Sequence, residues 1–168
     1  PPASSTWPTV KHMDKLSTDV AIVGAGNAAL CAALAAAEAG ANVVVLEAAP
    51  EGERGGNSAY TAGAMRTVYN GVADVRKLIP DIGGEDAKNT DFGSYSFDEY
   101  FDDMARVTQH RADPDLLQIL VRHSLPTLEW MRRQGVRFQP SYGRQAFKVA
   151  GRFKFWGGLA VETWGGGP

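Results

Sequence analysis

An apolar strand that runs into a glycine-spaced turn and then a helix of small residues leaves a chain few ways to fold. Residues 19–40, DVAIVGAGNAALCAALAAAEAG, have that pattern. Residues 19–23 are apolar and β-branched, as a strand buried on both faces of a parallel sheet requires. Residues 27–39 are strong helix formers, and Gly40 stands where a helix C-terminus favours glycine. Residues 42–47, NVVVLE, read as a second buried strand. Strand, helix and strand in this order predict a βαβ unit with a right-handed crossover.

The turn between the first strand and the helix is suited to an anion. Gly24 permits the tight exit from the strand, and Gly26, without a Cβ, lets the backbone approach a pyrophosphate. The helix then opens with unpaired N–H groups and the positive end of its dipole. Ala29 fills the third position of a G-x-G-x-x-A pattern, where a small residue allows helix and strand to pack closely. Glu47 follows Gly24 by 23 positions, close to the ~20-residue spacing of an acid that bonds a ribose hydroxyl. Together these features predict an α/β, Rossmann-like dinucleotide site. The charge on Glu47 disfavours a 2′-phosphate, and so NADP, but leaves NAD and FAD open.

The next segment separates those two. An NAD-dependent chain would continue with helix and strand, whereas residues 47–66 read EAAPEGERGGNSAYTAGAMR. The glycines of RGGNS argue against regular structure, and Asn57 and Ser58 add hydrogen-bonding side chains. Here the chain resembles the fumarate reductase and succinate dehydrogenase flavoprotein superfamily, in which a G-G-N-[ST] loop and an A-G-[GA]-M stretch run beside FAD. The matching residues are Gly55, Gly56, Asn57 and Ser58, then Ala62, Gly63, Ala64 and Met65. Within the superfamily, Arg54 before GGNS, WMRRQGVRFQP and the closing WGGGP are most similar to FAD-dependent tricarballylate dehydrogenases.

The resemblance implies a glutathione-reductase-type flavoprotein fold, truncated here, with an inserted helical segment. Residues 1–16 would be an irregular arm, and residues 17–168 the front portion of an FAD-binding domain. Gly24, Ala25, Gly26, Asn27 and Ala28 would wrap the pyrophosphate, and Glu47, with Ala48 beside it, would hold the adenosine ribose. Arg54, Gly55, Gly56, Asn57 and Ser58, with Thr61, Ala62 and Gly63, would lie near the pyrophosphate and isoalloxazine. The implied activity is dehydrogenation of a small polycarboxylate such as tricarballylate, by hydride transfer to flavin N5. The alternatives are a fumarate-reductase-like or ketosteroid-dehydrogenase-like flavoenzyme, and a nucleotide-binding chain that turns over only with a second polypeptide. The general acid or base of such enzymes falls beyond residue 168, so no catalytic residue is assigned. The expected partners are a carboxylate substrate, the remainder of the polypeptide or a complementary chain, and an electron-acceptor protein.

Composition narrows the partners further. Across 168 residues, 44% are hydrophobic and 21% charged, and the net charge of -2 gives no reason to expect nucleic acid. The longest apolar run, residues 28–37, is too short to span a bilayer, which takes ~20 residues. The start has no apolar core of a signal peptide, so the expected location is cytoplasmic. Cys31 is the one cysteine, and no Cys and His cluster has metal-site spacing.

The middle is read more coarsely. Residues 72–95 look like a polar, mobile excursion. Ser96 and Glu99 form a capping box for a helix to about Arg111. Asp113 and Pro114 open another helix, and Ser124 with Pro126 a third, ending at Gln134 before Gly135. Tyr100, Met104, Leu116, Leu120, Leu128 and Met131 have the spacing of core contacts. His110 and His123 are isolated, which favours surface or packing roles. Residues 136–158 predict a hairpin or two irregular strands. Its cations, Arg144, Lys148, Arg152 and Lys154, fit a solvated face better than a polycarboxylate site.

Overall fold

The computed structural model describes residues 15–165, so all but the last two residues of the expected N-terminal arm, and the final residues 166–168, lie outside the described residues. The chain divides into two units, residues 1–56 and 57–168.

In the first unit, β1 (Val20–Val23) and β2 (Val43–Leu46) flank α1 (Asn27–Glu38). The strands pair in parallel, Val20 opposite Val43 through Val23 opposite Leu46, which is the expected βαβ arrangement. Both strands are slightly shorter than expected because Asp19 and Asn42 close the sheet end instead of extending it. The Asp19 carboxylate accepts from the Asn42 backbone N–H at 2.8 Å. Burial differs from expectation. No residue of α1 is buried, and Val23 is 85% exposed. Two strands and one helix have too few layers to cover the faces of a parallel sheet.

The second unit holds β3 (Ala64–Met65), β4 (Tyr69–Asn70), α2 (Gly71–Leu78), α3 (Gly84–Lys88) and β5 (Ser94–Tyr95). It continues with α4 (Phe97–Val107), α5 (Pro114–Arg133), β6 (Phe138–Pro140), β7 (Ala146–Val149), β8 (Arg152–Phe155) and β9 (Val161–Thr163). β9 is the centre of an antiparallel sheet, between β3 and β6. β7 and β8 form the predicted hairpin, and β4 pairs with β5. The core joins Val75, Leu78, Tyr100, Val121, Leu128, Phe138 and Val161.

Several expectations for this unit are corrected. Residues 72–95 are not an excursion. α2, α3 and β5 lie there, and Val75, Leu78, Ile79, Ile82 and Phe92 are core residues. The segment's charges occupy the solvent side of an amphipathic helix, which concealed the apolar stripe. The capping box is present, Ser96 Oγ accepting from Glu99 N and the Glu99 carboxylate from Ser96 N. The helix it starts ends at Val107 rather than Arg111, since Gln109 and His110 take positive φ angles.

Asp113 caps α5 as expected, accepting from the N–H groups of Asp115 and Leu116. Ser124 starts no new helix, and Pro126 lies inside α5. The carbonyl that Pro126 leaves without its helical donor is that of Arg122, whereas the Ser124 hydroxyl, two residues before the proline, donates to the Val121 carbonyl at 2.8 Å. Leu117, Val121, Leu125 and Leu128 form the buried face of α5, which leaves Leu116 and Leu120 exposed. Among the described residues, no helix is long and apolar enough to cross a membrane.

Candidate functional site

The glycine turn of the first unit has the geometry that an anion needs. Gly24 has φ +101°, a left-handed conformation that side chains disfavour, and its N–H donates to the Leu46 carbonyl at 2.7 Å. Gly26 is the N-cap of α1. No side chain caps the helix and no acid lies in its first turn. The first bond up the helix is Leu30 N–H to Gly26 C=O at 3.0 Å. Ala28 and Ala29 therefore have no carbonyl one turn below them to take their N–H groups. A pyrophosphate would supply those acceptors and meet the positive end of the dipole, so the residues present fit the group.

Glu47 lies just past β2 and reaches back to this turn. Its carboxylate accepts from Ala25 N at 2.7 Å and Ala49 N at 2.9 Å. Those bonds, Ala49's first, hold the carboxyl below its ordinary range, although the side chain is exposed. The spacing therefore does bring acid and turn together. An acceptor fixed beside the glycines is what a ribose hydroxyl requires. Ala48 lies between Glu47 and Ala49 without a side-chain role of its own.

The residues after β2 fall on both sides of the division between units. In the first, Arg54 pairs with Glu51 at 3.4 Å on the surface. Gly55 and Gly56 both have positive φ. Regular structure is not absent, because residues Gly56–Tyr60 wind into a short 3-10 turn. Only Gly56 within it needs the left-handed region, and the other four residues accept helical angles. In the second unit, Thr61 Oγ1 donates to the Ser58 carbonyl at 3.0 Å. Ala62 and Gly63 follow with φ 58° and 69°. A Cβ on Gly63 would collide with the Thr163 hydroxyl, and Thr163 N–H donates to the Gly63 carbonyl at 2.9 Å.

Beyond β3, Arg66 donates to the Tyr95 hydroxyl at 3.0 Å, and Tyr95 donates to Asp103 at 2.8 Å. Burial foremost, with the Asp103 hydrogen bond, pushes the Tyr95 phenol up to about 12, so it remains a donor at neutral pH. Neither this cluster nor that of Glu162 on β9 with Gln139 on β6 and Ser141 just past it carries a sequence signal. Arg66 is 29 positions from Tyr95 and Glu162 is 23 from Gln139, and the topology joins them.

The hairpin cations are largely engaged locally. Lys154 pairs with Asp91 at 3.0 Å, Arg152 donates to the Thr90 carbonyl, and Lys148 lies over the Phe153 ring. His110 and His123 are exposed. Among the described residues, no group of three His, Cys, Asp or Glu could hold a metal ion.

A parallel βαβ unit with this turn and acid defines a dinucleotide-binding chain, and the comparison with known families makes it more specific. Residues 19–161 match the FAD binding domain family, and the chain belongs to it. It therefore binds FAD and is homologous to flavin-dependent oxidoreductases. Over 123 residues it is 37% identical to the urocanate reductase of Eggerthella lenta, which covers 73% of this chain and 18% of the relative. It is 30% identical over 121 residues to the fumarate reductase (cytochrome) of Shewanella frigidimarina, 71% of this chain and 18% of the relative. The digoxin reductase of Eggerthella lenta is 30% identical over 139 residues, 82% and 21% respectively. The chain thus spans about a fifth of the length of these relatives.

Proposed function

We propose that this chain holds FAD for a flavoenzyme that reduces a carbon–carbon double bond conjugated to a carboxyl or related carbonyl group. The glycine turn carries the proposal: an uncapped helix N-terminus, free of acids, with the Glu47 carboxylate beside it at Ala25. The reaction class takes its support from the relatives, since fumarate, urocanate and digoxin all contain such a double bond. This favours the fumarate-reductase-like alternative over oxidation of a polycarboxylate such as tricarballylate, which has only the sequence resemblance behind it.

In this reading the N–H groups after Gly26 bind the pyrophosphate, and Glu47 accepts from the adenosine ribose. Ala25, Asn27 and Ala28 complete the wrap around the pyrophosphate, and Ala48 lies beside the ribose. Arg54, Gly55, Gly56, Asn57 and Ser58, then Thr61, Ala62 and Gly63, lie along the pyrophosphate and isoalloxazine. FAD, when bound, supplies the hydride chemistry, and the chain supplies orientation and a fixed electrostatic field. An electron-acceptor or donor protein and the remaining polypeptide complete the enzyme, in a cytoplasmic setting.

Two measurements on the whole protein test this. Reduced viologen should be oxidised when fumarate or urocanate is added anaerobically, and tricarballylate with an artificial acceptor should turn over more slowly or not at all. Turnover confined to tricarballylate would reverse the assignment, and a flavin-loaded protein silent with every acid would favour a binding chain. For the turn, Gly26→Val fills the space that the pyrophosphate enters and should abolish flavin absorbance in the purified protein. Full flavin content in that variant would rule out the turn.

A further inference from the structure

The second unit holds a cleft of about 680 Å³ between the turn after α2, the C-terminal end of α5 and β6. Ligand clefts commonly measure ~300–1,000 Å³, so one small molecule would fill it. Leu78, Ile82 and Phe138 are buried residues on its lining and make an apolar floor. Trp164, just past β9, also lines it and is 62% exposed.

Two guanidinium groups join this lining, Arg132 in the last turn of α5 and Arg137 just before β6. No ion pair among the described residues includes either of them. Arg137 is nevertheless held in place. Its guanidinium carbon lies over the Trp164 ring, 4.8 Å from the centroid, and Trp164 N–H donates to the Arg137 carbonyl at 2.8 Å. Contact with the ring needs no hydrogen-bond acceptor, so the guanidinium keeps N–H groups for a ligand. Among the described residues, Asp81 is the one acid on the lining.

We propose that this cleft binds a small aromatic monocarboxylate, with its ring against the apolar floor and the Trp164 indole and its carboxylate on Arg137. A planar fork of N–H donors matches the two oxygens of a carboxylate, and Arg132 adds a second positive charge to the same cleft. The floor and the indole favour a flat apolar body over a short, fully polar acid. Asp81 opposes a second carboxylate by like-charge repulsion, which sets a monoanion apart from a dicarboxylate. The inference uses the second unit alone, so it stands or falls independently of the flavin reading.

The test is titration calorimetry of the flavin-loaded whole protein with 2-naphthoate as probe. Saturable binding with a dissociation constant below about 1 mM is expected. The amide of the same ring system, 2-naphthamide, lacks the charge and should bind about tenfold more weakly or worse. So should 2,6-naphthalenedicarboxylate, which adds a second charge. Arg137→Gln should weaken 2-naphthoate about tenfold while leaving 2-naphthamide and the flavin content unchanged. Arg137→Lys, which keeps a charge without the fork, should fall between variant and parent. No saturable heat with 2-naphthoate overturns the inference, and so does equal affinity for it in Arg137→Gln and parent. Equal or tighter binding of the amide or the dicarboxylate overturns the ligand class. Should Arg137→Gln not fold, Arg132→Gln, at an exposed position, should also weaken 2-naphthoate, and unchanged affinity there overturns the inference equally.

Discussion

At the scale of single residues, Glu47 joins the sequence pattern to its chemistry. Its distance from Gly24 along the chain was readable, but its direct bond to the Ala25 N–H was not, because side-chain direction past a strand end depends on local backbone geometry. The Ala49 bond foremost, and then the Ala25 bond, lower its pKa from the ordinary 4.5. A depressed folded pKa means that the hold on the turn is complete above pH 4.5 and is lost as pH falls through the lower, folded value. Flavin release, followed by fluorescence, should therefore quicken as the pH is taken below 4.5. Glu47→Ala should retain less flavin through gel filtration at neutral pH and should lose the acid-dependent part of the release. Equal flavin content and an identical pH profile in variant and parent would remove Glu47 from the site. Glu162 shows the opposite case. Nothing in VETWGGGP signals a buried acid, and its partners at 139 and 141 are brought to it only by strand pairing.

At the scale of elements, local signals were readable where the chemistry is local. The capping box at Ser96, the Asp113–Pro114 start and the hairpin at residues 146–155 each depend on residues within a few positions of one another. α2 was hidden because its short apolar stripe is interleaved with Asp74, Arg76 and Lys77, and only burial against α5 and β4 reveals which face matters. α5 was divided in two by its Ser124 and Pro126, a pair that ordinarily opens a helix. Tertiary packing prevailed over that preference. The Ser124 hydroxyl bonds Val121 O on its own helix and accepts from Val68 N–H at 3.1 Å outside it. Ser124→Ala would leave the half-buried Val68 N–H without its protein acceptor, at a cost of about 1–3 kcal/mol. Urea unfolding should show a lower midpoint with an unchanged slope. An unaltered midpoint would mean that water replaces the hydroxyl at the Val68 N–H.

At the scale of the whole molecule, the two units differ in how much they bury. The second has a continuous core in which Val121, Ala160 and Val161 are almost wholly shielded. Among the described residues, the first has a two-stranded parallel sheet that no further strand joins, and Val23, Leu46, Leu30 and Leu34 are all more than 40% exposed. Contiguous apolar surface beside open strand edges is a template for association. Residues 1–168 expressed by themselves should therefore scatter light at micromolar concentration and bind an apolar dye. The source of that behaviour can be assigned. Val23→Lys with Leu46→Lys, both at exposed positions, should suppress scattering without altering the melt of the second unit, whereas Leu128→Ala should destabilise the second unit by about 2–5 kcal/mol and leave the scattering of the first unit in place. A monodisperse monomer with one cooperative transition would overturn the prediction. It would require the faces of β1 and β2 to be covered in solution, and hydrogen exchange at Val20–Val23 would then be as slow as in the core of the second unit.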